Sequence, residues 1–235
     1  MPTQPITNEH IGIPTKNKPK SYWYKKDRQP EPLSIKMEVQ RLKIKNLLHF
    51  TKIENLPNIL QRGLFPRADL DAQGISYKYN DEKRLDFCGN ASCLSISFPN
   101  YKMFFKYRNI DKNQKWIVIS LSPNLLWEKE CAFCYSNAAD SEITAIPLED
   151  RKNPEAFLEM FRDFQHYPKR SVLNLKDHYP TNPQAEVLVF DLIEPNYFQC
   201  CFFNDQYLMR SYQNNIFYKY EENMFSPRVD YGYWK

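Results

Sequence analysis

Glycine is almost missing from this 235-residue chain, which has five. Neither G-x-G-x-x-G nor G-x-x-x-x-G-K-[ST] occurs. That argues against a Rossmann dinucleotide site and a P-loop, both of which need glycine to bring backbone N–H groups against phosphate. No run of about 18 apolar residues is present, so no segment reads as a membrane span. The opening MPTQPITNEHIGIPTKNKPK lacks the apolar stretch of a secretory signal. Together these absences give the expectation of a cytoplasmic protein with no membrane partner, its six cysteines being thiols rather than a disulfide framework.

A strong excess of one charge is lacking too. Thirty-two basic residues against 28 acidic ones give a formal charge of +4 and a pI of about 8.6. This mild basicity suits a polyanionic partner without requiring one. Cys131 and Cys134 have metal-ligand spacing, but no second C-x-x-C and no H-x₃₋₅-H supplies the other ligands of a tetrahedral site. Buried structural thiols are the expected role, and no metal is expected.

Apolar and aromatic residues, by contrast, are plentiful: 42% of the chain is hydrophobic, with 16 Tyr and 16 Phe. Residues 1–34 are rich in Pro, Lys, Gln and Thr and show no apolar period. They read as a flexible arm ahead of a single domain over 35–235. Within the arm, SYWYKKDRQP interleaves aromatics with cations, and two readings stay open. It contacts nucleic acid by stacking and charge, or it folds back through Tyr22, Trp23 and Tyr24.

From residue 35 the pattern is mixed. A helix over 35–46 leads to a strand at 47–50 and a second helix that stops at Gly63. Thr51 and Glu54 have capping-box spacing, while Asn55 offers a later start with Pro57 in the first turn. A polar connection spans 66–90. Strands follow at 93–98, 115–122, 185–191 and 197–203. Helices are expected from Asn100, at 123–128 and at 154–164, with a basic loop at 165–183 and a helical or irregular tail. Strands mostly succeed one another without β-α-β alternation, which favours α+β.

Two residues stand out as candidates. His49 ends the strand in LLHFTKIENLPNIL and faces the strand–helix cleft, either as a satisfied structural histidine or as a working one. In TNPQAEVLVF, alternation sets Glu186, Leu188 and Phe190 on one face and Ala185, Val187 and Val189 on the other. Glu186 is either a strand-end carboxylate in water or a group facing a polar cleft. Arg84, and the pair Ser95 and Ser97 in S-I-S, add a cation and a polar strand face.

In order, H-F-T before N-L-x-x-I-L-x-x-G-L, an arginine in a long loop, S-I-S in a strand, and Q-x-E opening a late strand resemble the ADP-ribosyltransferase superfamily. Within it the chain is similar to the DarT family of DNA-modifying toxins, over about 45–195. That resemblance implies a split, strongly bent β-sheet core with flanking helices, binding NAD⁺, which is consumed as a co-substrate. It implies that Glu186 and Arg84 are catalytic. His49, Thr51, Arg84, Ser95 and Ser97 would hold the cofactor. His166, Tyr167, Lys169, Arg170 and Tyr179 would meet the substrate on the loop before Glu186. Lys52 departs from the family, which often repeats histidine there. The implied activity is transfer of ADP-ribose onto thymine, or guanine, of single-stranded DNA. The implied partners are that DNA and a cognate antitoxin, an ADP-ribosyl glycohydrolase, macrodomain or similar. An RNA or protein acceptor, and a non-catalytic nucleic-acid-binding module, are the alternatives.

Overall fold

The computed structural model describes residues 33–79, 88–165, 167–212 and 217–226. The SYWYKKDRQP arm, Arg84 and His166 lie outside them. Among the described residues seven strands form one sheet: β1 (Leu47–Lys52), β2 (Ser92–Ile96), β3 (Trp116–Leu121), β4 (Cys131–Cys134), β5 (Glu186–Val189), β6 (Phe198–Phe203) and β7 (Tyr218–Tyr220). Their order across the sheet is β4-β5-β2-β1-β3-β6-β7, and only β6 and β7 run parallel. Flanking it are α1 (Ile35–Arg41), α2 (Leu56–Arg62), α3 (Arg67–Ala72), α4 (Tyr101–Ile110), α5 (Leu125–Glu128), α6 (Ser141–Thr144), α7 (Pro154–Glu159) and α8 (Gln206–Ser211). This is the expected α+β class. No helix among the described residues is long and apolar enough to cross a membrane.

The feature that positions the site is an uneven pairing around β1. Against β3, β1 is paired along its whole length, from Leu47↔Leu121 to Lys52↔Trp116. Against β2 it is paired only at Leu47↔Ile96 and Leu48↔Ser95. The other half of β2 turns to β5, with Ser92↔Val189, Cys93↔Leu188 and Leu94↔Val187. From His49 onward, β1 and β2 therefore part, and the sheet splits there.

Packing follows the strand period. All six residues of β3 are buried, as befits the strand between β1 and β6. In β5, Val187 and Val189 join the main core with Leu94, Ile117 and Phe133. Leu188 packs in a second cluster with Ala132 and Ile143, so the two faces divide as alternation predicts. A third cluster gathers Leu48, Phe104, Trp116, Val118 and Phe225. There the Phe50 ring stacks on Phe104 with centroids 4.6 Å apart.

Several expected boundaries move. The helix expected over 35–46 stops at Arg41 because Lys43 turns left-handed at φ 57°. Its N–H bonds the Gln40 carbonyl, and the Ile44 N–H bonds Val39, each at 3.1 Å. These paired bonds are a Schellman stop, with lysine at the position glycine usually holds. The helix expected to reach 164 ends at Glu159, since the Met160 carbonyl receives the Thr181 N–H at 2.9 Å. No capping box forms at Thr51: it lies in β1, and Glu54 accepts from Gln114 Nε2 instead. The polar connection 66–90 holds α3, the unassigned region 130–150 holds β4 and α6, and the tail folds as α8 and β7. As expected, Asn100 starts α4, its side chain accepting the Met103 N–H.

Candidate active site

A cleft opens where β1 and β2 diverge. Its walls include His49, Thr51, Ser95 and Glu186, which are more than a hundred residues apart in the chain at the extremes. His49 Nδ1 lies 3.0 Å from the Cys93 carbonyl, so Nδ1 carries the proton and spans the gap the strands leave. Glu186 opens β5 and is only 5% exposed, which removes the reading of a carboxylate in open water. Its Oε2 accepts the Ala138 N–H at 2.8 Å, and its Oε1 faces Asn100 Nδ2 at 3.4 Å. Ser95 accepts the Asn100 N–H at 3.0 Å.

Ser97 does not share that strand face, contrary to expectation. β2 ends at Ile96, and Ser97 takes φ 62° in a tight turn in which the Phe98 N–H bonds Ile96 O at 2.7 Å. Its hydroxyl is buried with no hydrogen bond among the described residues, and it does not line the cleft.

Sequence reasoning missed another part of the cleft lining. Asn55, read only as a helix start, brackets the main chain of Lys78: Nδ2 donates to Lys78 O at 2.8 Å and Oδ1 accepts the Lys78 N–H at 2.7 Å. Nδ2 also reaches Thr51 Oγ1 at 2.9 Å. This holds Tyr77, Lys78 and Tyr79 at the cleft, where Arg67 joins them. Arg67 Nε donates to the Tyr77 hydroxyl at 2.9 Å, and the guanidinium sits 5.0 Å from the Tyr79 ring centroid. The Tyr77 hydroxyl in turn donates to Asp71 at 2.8 Å. Burial and that bond push its pKa up. The only advance signal was the I-S-Y-K-Y alternation, which lay inside a connection judged by its polarity.

The sequence matches the profile of the family described as DarT, ssDNA thymidine ADP-ribosyltransferase, over residues 48–229. The chain belongs to the DarT family. No curated protein sequence matches it. Among solved structures, Thermosipho africanus DarTG in complex with ADP-ribose overlays with a TM-score of 0.54 at 16% identity, over 77% of this chain and 51% of that one. The chain thus spans about half the length of that relative, and the likeness is one of fold. Thermus sp. 2.9 DarT in complex with NAD⁺ has a TM-score of 0.48 at 9% identity, covering 78% of this chain and 98% of that one. The same Thermus DarT in complex with ADP-ribosylated ssDNA gives 0.47 at 11% identity, over 78% and 97% of the two chains.

In this DarT family member the loop before Glu186 is organised from within. Arg170 donates to Tyr179 O at 2.7 Å, Thr181 Oγ1 at 2.9 Å and Lys176 O at 3.1 Å, so its guanidinium ties the loop together. The Tyr167 hydroxyl accepts from Asn182 Nδ2 at 3.3 Å, and Tyr179 packs on His178 with centroids 4.0 Å apart. Lys169 is exposed. None of these four residues lines the cleft.

The C-x-x-C pair cannot converge on one ion. Three residues apart on a strand, Cys131 joins the main core and Cys134 the second cluster. Burial pushes both thiols up to about 12. Among the described residues no group of three or more His, Cys, Asp and Glu side chains could hold a metal.

Proposed function

We propose that this DarT family member transfers ADP-ribose from NAD⁺ to a base of single-stranded DNA, as the toxin of a bacterial toxin–antitoxin pair. The observation that supports this is the placement of His49 and Glu186 on one cleft, opened by the parting of β1 and β2. NAD⁺ brings ribose hydroxyls, a diphosphate and two rings. The cleft offers a buried carboxylate, an imidazole, the cations Arg62 and Arg67, and the rings of Tyr77 and Tyr79. Arg84 enters this proposal on the family resemblance, as a further contact to the diphosphate.

The chemistry needs little else. The nicotinamide–ribose bond breaks, its electron pair leaves with neutral nicotinamide, and positive charge grows on the sugar as in glycoside cleavage. Glu186 stabilises that charge through the ribose 2′-hydroxyl. It then takes the proton released as a base nitrogen bonds the anomeric carbon. A neutral leaving group requires no general acid. His49, steadied on Cys93 O, holds the ribose side. The base must be unstacked for its nitrogen to reach the anomeric carbon, which suits a single-stranded substrate. Tyr167 and Tyr179 would stack on it and Lys169 would meet phosphate, on a loop that Arg170 keeps in shape.

Oligonucleotides each lacking one base, incubated with NAD⁺ and read by mass spectrometry, test the acceptor. Thymine is expected to gain the ADP-ribosyl group; addition only where guanine is present would move the acceptor to guanine. Labelled NAD⁺ transferred to RNA or protein but not to DNA would overturn the DNA reading. Glu186→Gln should lower the transfer rate by about 10²–10⁴-fold. In cells, wild-type expression should arrest growth and Glu186→Gln should not, with co-expressed ADP-ribosyl glycohydrolase relieving the arrest.

A further inference from the structure

We infer that Asn100 is the positioning residue for Glu186, fixing the carboxylate's rotamer and favouring its ionised form through a side-chain N–H. This rests on Glu186 being the working carboxylate of the proposed transfer.

Asn100 is fully buried, at 0% exposure, and every polar group it has is in use. Its N–H donates to Ser95 Oγ at 3.0 Å and its carbonyl accepts the Phe104 N–H at 2.9 Å. Its Oδ1 accepts the Met103 N–H at 3.2 Å, and its Nδ2 faces Glu186 Oε1 at 3.4 Å. One residue therefore ties β2, the first turn of α4 and the start of β5 together. The helix cap settles which way the amide points. A backbone N–H requires an oxygen, so Oδ1 must face Met103 and Nδ2 must face the carboxylate. At 3.4 Å the contact to Glu186 is long, and the Ala138 N–H at 2.8 Å is the closer donor. Asn100 therefore contributes mainly direction and a preference for the charged form, since an N–H can serve a carboxylate oxygen but not a carboxylic O–H.

Charged and titratable groups also lie on the elements that hold Glu186 and Asn100. Cys134 stands opposite it on β4 as a thiol held neutral by burial, with Arg151 Nη1 at 3.6 Å from its sulfur. Cys93 lies on β2 and His49 on β1. Asp140, in the turn after β4, accepts from Ser136 Oγ at 3.0 Å and caps α6. Lys102 lies on α4, and burial lowers its pKa.

The test is the pH dependence of kcat in the full chain at saturating NAD⁺ and oligonucleotide. Asn100→Asp keeps an oxygen for the Met103 N–H but sets a second carboxyl against Glu186. The acid limb should move up by about one pH unit or more. Asn100→Ser keeps a capping oxygen and removes the amide N–H that faces Glu186, its hydroxyl being on a shorter side chain. It should lower kcat by about tenfold or more, change KM for NAD⁺ by less than about threefold, and move the acid limb up by less than Asn100→Asp does. If Asn100→Asp fails to fold by circular dichroism, Asn100→Ser carries the test alone. Wild-type kcat and acid limb in the folded variants would overturn the inference, and so would a reduced kcat with an unmoved limb. Glu186→Gln, run in parallel, separates the two claims. An inactive Glu186→Gln beside unaffected Asn100 variants sinks only the role of Asn100, whereas an active Glu186→Gln sinks the reading beneath it.

Discussion

Where β1 and β2 stop pairing, a ring nitrogen takes over: His49 Nδ1 meets the Cys93 carbonyl at 3.0 Å, across a gap with no ladder bond. That bond stabilises the split by about 1 kcal/mol and fixes the tautomer, so that in the neutral ring Nε2 is the acceptor. His49→Ala should therefore do two things. Unfolding free energy should fall by about 1 kcal/mol in urea, and NAD⁺ affinity by calorimetry should fall by about tenfold. A loss of stability with unchanged NAD⁺ affinity would make the histidine purely structural. At this scale the sequence was informative where one element decides. Strand alternation set Glu186 opposite Val187. His49 was marked for the wrong reason: it does not end the strand, since β1 runs on to Lys52, and what ends just before it is the pairing with β2. The sequence marked Asn100 as a helix start, because the cap is local, and was silent on its contact to Glu186, 86 residues away. It misled at Ser97, where a left-handed turn breaks the alternation.

Elements were legible in proportion to their apolar period. β3, buried at every residue, was unmistakable, whereas α3 has no buried residue, so periodicity had nothing to register. Helix stops were legible when glycine made them. Gly63 ends α2 at φ 99°, and a Cβ there would lie 2.6 Å from the Ile193 carbonyl. The approach lets Leu64 and Ile193 exchange bonds at 2.8 and 3.0 Å. Gly63→Ala should cost about 2 kcal/mol or more, read as a lower urea midpoint with unchanged slope. The stop at Lys43 was illegible because a side chain occupies the left-handed position. Lys43→Gly should raise stability by about 0.5–1 kcal/mol in the same assay. A decrease would show that the lysine side chain holds the stop by some other contact.

At the largest scale, the described residues form a sheet whose split no local period could reveal. Strand order and the half-pairing of β2 depend on contacts between distant segments, and the family resemblance anticipated only that the sheet is split. The same sheet buries four thiols, three of which burial raises furthest. Cys131 and Cys134 on β4 and Cys201 on β6 are each pushed from the ordinary 9.0 up to about 12, by burial first. Because the folded chain holds these protons more tightly than the unfolded one, their contribution is complete below pH 9 and is lost as pH rises toward 12. Each thiol steepens the fall by up to about 1.4 kcal/mol per pH unit within that window. Tyr101 and Tyr135, also raised by burial, act in the same direction. A comparison with a variant therefore isolates the thiol. Cys201→Ala removes one ionisable group and leaves Tyr101 and Tyr135 in place. It should be less stable than wild type at pH 8, because its packing is poorer. With urea unfolding repeated from pH 8 to 11 under reducing conditions, the two stabilities should converge as pH rises. Parallel curves would mean that Cys201 is no harder to ionise in the fold than in the open chain.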